Sequence, residues 1–113
     1  MKYVWVFATN EHRVEKYLTL LNNYRITAKG SSELETREYG EMRNWPPQAA
    51  IIDLTIKPHA GKKLYNWFRN RIYTRDVHVL FIGADEEYFN SCKEHDRFVH
   101  TIKFEEIISK LRT

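Results

Sequence analysis

Ala49-Ala50-Ile51-Ile52-Asp53-Leu54 is the stretch on which the fold turns. Four apolar residues run without a break into a single carboxylate. A strand with one wet face alternates apolar and polar residues. A continuous run marks a strand covered on both faces, as in a parallel sheet between helix layers. Pro46-Pro47 lies just ahead of the run and stops any preceding helix. Asp53 therefore falls at the C-terminal edge of a buried strand, where open α/β sheets gather their ligands.

Working outward, Tyr3-Val4-Trp5-Val6-Phe7-Ala8 and Val79-Leu80-Phe81-Ile82 repeat the same continuous apolarity, while Arg25–Lys29 and Arg97–Ile102 are weaker strands. Helical periods lie between them. Val14, Tyr17, Leu18 and Leu21 fall on one face, as do Leu64, Trp67, Phe68 and Ile72, and Phe104, Ile107, Ile108 and Leu111. Asn10 or Thr9 can cap the first of these helices. Segments 31–44 and 85–95 make poorer helices.

Strands are thus expected near 3–8, 25–29, 49–54, 77–83 and 97–102, with the first, third and fourth central. Their alternation with helices predicts an α/β fold: a flavodoxin-like, three-layer α/β/α sandwich on a five-stranded parallel sheet of order 2-1-3-4-5. The residues to inspect are those at the C-terminal strand ends: Ala8–Asn10, Asp53–Thr55, Gly83–Asp85 and Val99–Thr101.

The 113 residues suit one domain spanning 1–113, and a 14% aromatic content lets so short a chain build a core. With 42% hydrophobic and 29% charged residues, the composition is that of a globular chain rather than a disordered one. No apolar run is long enough to cross a bilayer, and the N-terminus lacks a secretory pattern. Cys92 is the single cysteine, which excludes an internal disulfide and disfavours a Cys-based zinc site. A cytoplasmic protein without membrane attachment, metal or cofactor is expected.

The net charge of +3 is too small to imply nucleic acid, but its distribution is uneven. Residues 57–75 carry Lys57, Lys62, Lys63, Arg69, Arg71 and Arg75 and no acid, whereas 85–97 are acidic.

The run into Asp53-Leu54, with Gly61 eight residues after the aspartate and then Leu64, Trp67 and Arg69, resembles the phosphoacceptor region of response-regulator receiver domains. Val77–Ala84 matches their fourth strand, and Phe98–Ile102 followed by Phe104-Glu105-Glu106-Ile107 their fifth strand and last helix. The resemblance implies that Asp53 takes the phosphoacceptor place and that the chain works in two-component signalling.

The chemical partners of that aspartate are missing. Acidic residues that would hold a divalent cation at the end of the first strand are replaced by Ala8 and Thr9. Gly83 stands for the hydroxyl residue after the fourth strand, and His100 with Thr101 for the Lys-Pro after the fifth. Lys103 fills the lysine place only if the register slips by three residues. Pro58 lies five residues after Asp53 instead of four, and the short spacing from Gly83 to His100 implies a shortened fourth helix. The chain reads as a pseudo-receiver, with Asp53 vestigial.

Plainer roles stand beside these. Asp53 can cap its strand end, His100 can be a half-buried polar residue, and Cys92 can be packing. His12, His59, His78 and His95 show no paired spacing and carry no ligand signal. Trp67 and Phe68 read as the core face of a helix.

Three functions are compatible. The first is a phosphorylation-independent, non-enzymatic module binding a protein partner or a second copy. Its surface would be formed by Tyr88, Phe89, Glu105, Glu106 and Lys110, with at least one of the two aromatics exposed. The second is a small nucleic-acid-binding regulator using a basic patch of Lys62, Lys63 and Arg69. The third is a phosphorylatable receiver with a non-standard metal site at Asp53.

Overall fold

The computed structural model describes residues 3–34, 40–58, 60–84 and 86–112, the side chain of Tyr88 excepted. Five parallel strands form one sheet: β1 (Tyr3–Phe7), β2 (Thr27–Ser31), β3 (Ala49–Asp53), β4 (His78–Ile82) and β5 (Val99–Thr101). Their order is β2-β1-β3-β4-β5, as the sequence predicts. The helices are α1 (Glu11–Asn23), α2 (Glu41–Asn44), α3 (Gly61–Arg69), α4 (Glu86–Lys93) and α5 (Ile107–Leu111), the last preceded by a 3₁₀ turn at Phe104–Glu106.

The continuous runs become the central strands because each side of the sheet meets its own helix layer. Trp5, Phe7, Ala50, Ile52, Val79 and Phe81 face one way, onto Leu64, Trp67 and Phe68 of α3 and Phe89 and Cys92 of α4. Val4, Val6, Ala49, Ile51, Leu80 and Ile82 face the other, onto Tyr17 and Leu21 of α1 and Ile107 and Leu111 of α5. Every residue of β3 is buried. Gly61 opens α3 where a Cβ would come within 2.9 Å of Leu54 Cδ1, so its spacing from Asp53 reflects a close approach of helix to sheet.

Differences from the sequence reading are local. The second strand lies at Thr27–Ser31, two residues later than expected, because Arg25 takes a left-handed conformation (φ 59°) and its N–H closes onto Asn22 O before the strand starts. Of the 31–44 helix, α2 alone is formed among the described residues. Ile72 does not extend α3: the helix ends at Arg69, and Ile72 is 85% exposed. Thr74 is buried instead, its hydroxyl donating to Phe68 O at 2.8 Å and folding the chain back under the helix. The fourth helix is short, at 8 residues, as the compressed spacing implied.

Candidate functional site

Parallel order places the ends of β1, β3 and β4 side by side, and α1 begins directly above them. Asn10 caps α1, accepting the Arg13 N–H at 2.9 Å. That cap aims the first turn of the helix across the strand ends. Arg13 and Tyr17, four residues apart and so on one face, both reach down to β3.

Their shared target is Asp53, which is 1% exposed. Oδ2 accepts from Arg13 Nε at 2.8 Å and from the Tyr17 hydroxyl at 2.8 Å. Oδ1 accepts from the Thr55 backbone N–H at 2.9 Å. Burial alone would push the Asp53 carboxyl up. The donors on Thr55, Arg13 and Tyr17 outweigh it and hold the group below the ordinary carboxylate range. Tyr17 is pushed the other way, by burial and by donating to a carboxylate. At neutral pH the site is an ionised aspartate whose charge is met by an arginine and whose two oxygens are both occupied.

The neighbours close the site further. Ala8 ends the first strand fully buried, with its N–H on Ser31 O at 3.1 Å. Gly83, at φ +76°, packs against Thr55, whose Cα would lie 2.8 Å from any Cβ added there. A serine or threonine at this position would meet both a steric and a conformational penalty.

Pairing fixes the register of the fifth strand, and it corrects the place expected of His100. Leu80 pairs with His100 and Phe81 with Thr101, and Ile102 N–H donates to Phe81 O. Two more residues along, Lys103 comes level with Gly83. His100 lies in the middle of β5, opposite Leu80 and three residues short of that place.

Two other expectations are corrected. Phe89 is buried, packed in the core with α3, so it is no docking aromatic; the Tyr88 side chain lies outside the described residues. Arg69 is no free member of a basic patch. Its Nε pairs with Asp96 and its Nη1 donates to Val77 O at 2.7 Å, tying the end of α3 to the chain entering β4 and β5. Tyr65 donates to the same carboxylate, which also accepts Phe98 N–H at 2.7 Å. Lys62 and Lys63 are exposed, as are Glu105 and Glu106, and Lys110 is half-buried.

The divalent cation on which receiver chemistry depends does not fit this donor set. Magnesium takes carboxylate and carbonyl oxygens in octahedral geometry. Ala8 has no side-chain ligand, Thr9 and Asn10 offer neutral oxygens, Asn10 Oδ1 already accepts from Arg13, and the Arg13 guanidinium lies where it repels a cation. Among the described residues no cluster of three His, Cys, Asp or Glu side chains forms a metal site.

Comparison with solved structures finds the same architecture in the N-terminal domain of a response regulator receiver protein from Methanoculleus marisnigri JR1. The TM-score is 0.71 at 19% identity, over 99% of this chain and 91% of that one. The fold is that of receiver domains. The bacteriophytochrome response regulator AtBRR is a second match, with a TM-score of 0.65 at 12% identity over 99% of this chain and 91% of that one. No family model and no curated protein matches the sequence.

Arg13 and Tyr17 are the functional residues that sequence reasoning missed. Tyr17 reads as core from its helical period and Arg13 as a surface cation. The available signal was their spacing on a helix opening over a strand end stripped of its own acids.

Proposed function

We propose that this chain is a receiver-fold signalling module that acts through a protein partner without phosphorylation. One observation carries the reading: Arg13, Tyr17 and Thr55 occupy both oxygens of the buried Asp53. A carboxylate that attacks phosphorus must offer a lone pair to its donor and needs positive charge on the transferring oxygens. Here both oxygens already accept from internal donors, which oppose attack on phosphorus. The Arg13 guanidinium neutralises the aspartate itself and not a transferring group, so the arrangement holds one state in place of a switch. The signalling context rests on fold likeness, which does not by itself specify function.

The test is incubation with acetyl phosphate, and separately with beryllofluoride and magnesium, followed by intact mass and amide NMR. Unchanged mass and spectra are expected. Partner capture should be equal for the wild type and Asp53→Asn, with or without the phosphodonor. A stoichiometric adduct abolished by Asp53→Asn overturns the proposal and favours a phosphorylatable receiver with an unusual site. The second alternative, nucleic-acid binding, loses support from the internal engagement of Arg69. It would be favoured by salt-dependent retention on DNA or RNA that Lys62→Gln with Lys63→Gln removes.

A further inference from the structure

At the end of the sheet opposite Asp53, β4 and β5 bring together two histidines far apart in sequence. His78 Nδ1 and His100 Nε2 are 3.2 Å apart. The ring centroids are 5.5 Å apart and the planes differ by 13°. The centroid separation exceeds the nitrogen separation by about two ring radii, so the imidazoles lie edge to edge in nearly one plane. This is an N–H···N hydrogen bond rather than a stack. His78 is further fixed by the edge-to-face contact of its ring with Phe98 at 4.9 Å.

The pair forms one wall of a cleft of about 350 Å³, with Gln48 and Lys110 on its polar side and Ala49, Leu80 and Leu111 as its apolar floor. That volume is in the range of small-ligand sites. Whichever tautomer the neutral pair adopts, one nitrogen donates within the pair, leaving one outward donor and one outward acceptor. Adding one proton turns both outward nitrogens, His78 Nε2 and His100 Nδ1, into donors. The protonated pair carries a single positive charge beside the Lys110 ammonium. Charge-assisted N–H donors over an apolar floor are the complement of an organic anion.

We propose that this cleft binds a small organic carboxylate, held by Lys110 and the two imidazoles, with its apolar part on Ala49, Leu80 and Leu111 and with uptake of one proton by the His78–His100 pair. The surrounding charges favour this coupling. Burial, then Lys110 on α5, lowers the affinity of both histidines for protons. Arg69 of α3 adds to the effect at His78, and His78 itself with Lys93 of α4 adds to it at His100, while Asp96 opposes it at both. Protonation of the free pair is thus disfavoured, and a carboxylate placed beside Lys110 offsets the dominant repulsion. The same ammonium disfavours a metal cation at the pair. The site is remote from Asp53 and does not depend on the proposed function.

Benzoate and acetate serve as probes, titrated into the full chain and followed by amide and imidazole NMR at about pH 5.5 and about pH 7.5, either side of the ordinary histidine range. Benzoate should shift His78, His100 and Lys110, bind more tightly than acetate, and gain up to about tenfold in affinity per pH unit on acidification, the signature of one linked proton. Lys110→Gln should weaken binding at both pH values. His78→Gln with His100→Gln, which keeps polar side chains but leaves no imidazole in the cleft to titrate, should flatten the pH dependence. The proposal is overturned if millimolar benzoate leaves the cleft resonances unmoved, if the double variant His78→Gln with His100→Gln retains the full pH slope, or if Zn²⁺ saturates the pair while benzoate does not bind.

Discussion

Arg13→Ala is the substitution that most directly probes the Asp53 site. It leaves a carboxylate that is 1% exposed without its counter-charge, still hydrogen-bonded by Tyr17 and Thr55. Removing one member of a fully buried ion pair costs about 3–5 kcal/mol. Arg13 is not fully buried, its side chain being 25% exposed, so water can replace part of what it supplies. A charged hydrogen bond is worth about 1.5–3 kcal/mol, and about 2 kcal/mol is the expected loss here. For a domain of this size that lowers Tm by about 8 °C, at about 4 °C per kcal/mol.

Urea unfolding of Arg13→Ala, Asp53→Asn and the double variant, read by tryptophan fluorescence, gives the coupling directly. The double variant should be less destabilised than the sum of the singles, since the remaining Asn carries no charge. The sign with pH follows from the lowered Asp53 pKa. Its contribution is full above the unfolded carboxylate pKa of about 3.9 and is lost as pH falls through the lower folded value. The deficit of Arg13→Ala should therefore be full at neutral pH and shrink in acid. A loss under about 0.5 kcal/mol at neutral pH, with no coupling to Asp53→Asn, would refute a stabilising Arg13–Asp53 pair.

Both His78 and His100 have lowered folded-state pKa values, so the unfolded chain binds more protons between those values and about 6.5; stability should fall as pH drops through that window. The double variant His78→Gln with His100→Gln should flatten the decline in denaturant midpoints. Gly83→Ser, which introduces a hydroxyl after β4, should destabilise by about 1–3 kcal/mol through its positive φ and the Thr55 contact, and calorimetry will show it. Asp96→Asn should lower stability by about 1.5–3 kcal/mol in urea unfolding by weakening the Arg69 pairing, with Tyr65→Phe showing a smaller loss. Ile72→Asp should be neutral within about 0.5 kcal/mol, while Phe68→Ala should cost about 3–5 kcal/mol; equal effects would mean the chain after α3 packs differently.

The places where sequence and structure part are instructive. Ile72 fits the helical period of Leu64, Trp67 and Phe68, but period says nothing about where a helix stops. The bond from Thr74 to Phe68 O decides that. Phe89 looked like an anchor because a short helix has little face to bury, yet α4 spends that face on Phe89 and Cys92. His100 takes the lysine place when the chain is aligned with receiver domains on Glu105-Glu106. Interstrand pairing gives that place to Lys103, and residue type could not reveal a register. Arg69 looked free because no acid lies near it in sequence, and its partner Asp96 arrives from 27 residues away.

Strand count, helix alternation, the central place of the three apolar runs and the strand order were all legible in the linear chain. Each follows from the periodicity of neighbouring residues and from the packing and handedness rules of parallel sheets. Asp53 was legible as well, because a carboxylate closing a buried strand has few places to go. What surrounds it was not. Arg13 lies 40 residues from Asp53 and Tyr17 36, and the two histidines of the opposite cleft are 22 apart. Such meetings depend on which strands lie side by side, on their register and on the angle at which a cap launches a helix. These are properties of the folded chain as a whole, which no window of sequence contains. The polypeptide thus wrote its own architecture in local pattern, and tertiary packing alone turned a strand-end carboxylate into a closed ion pair.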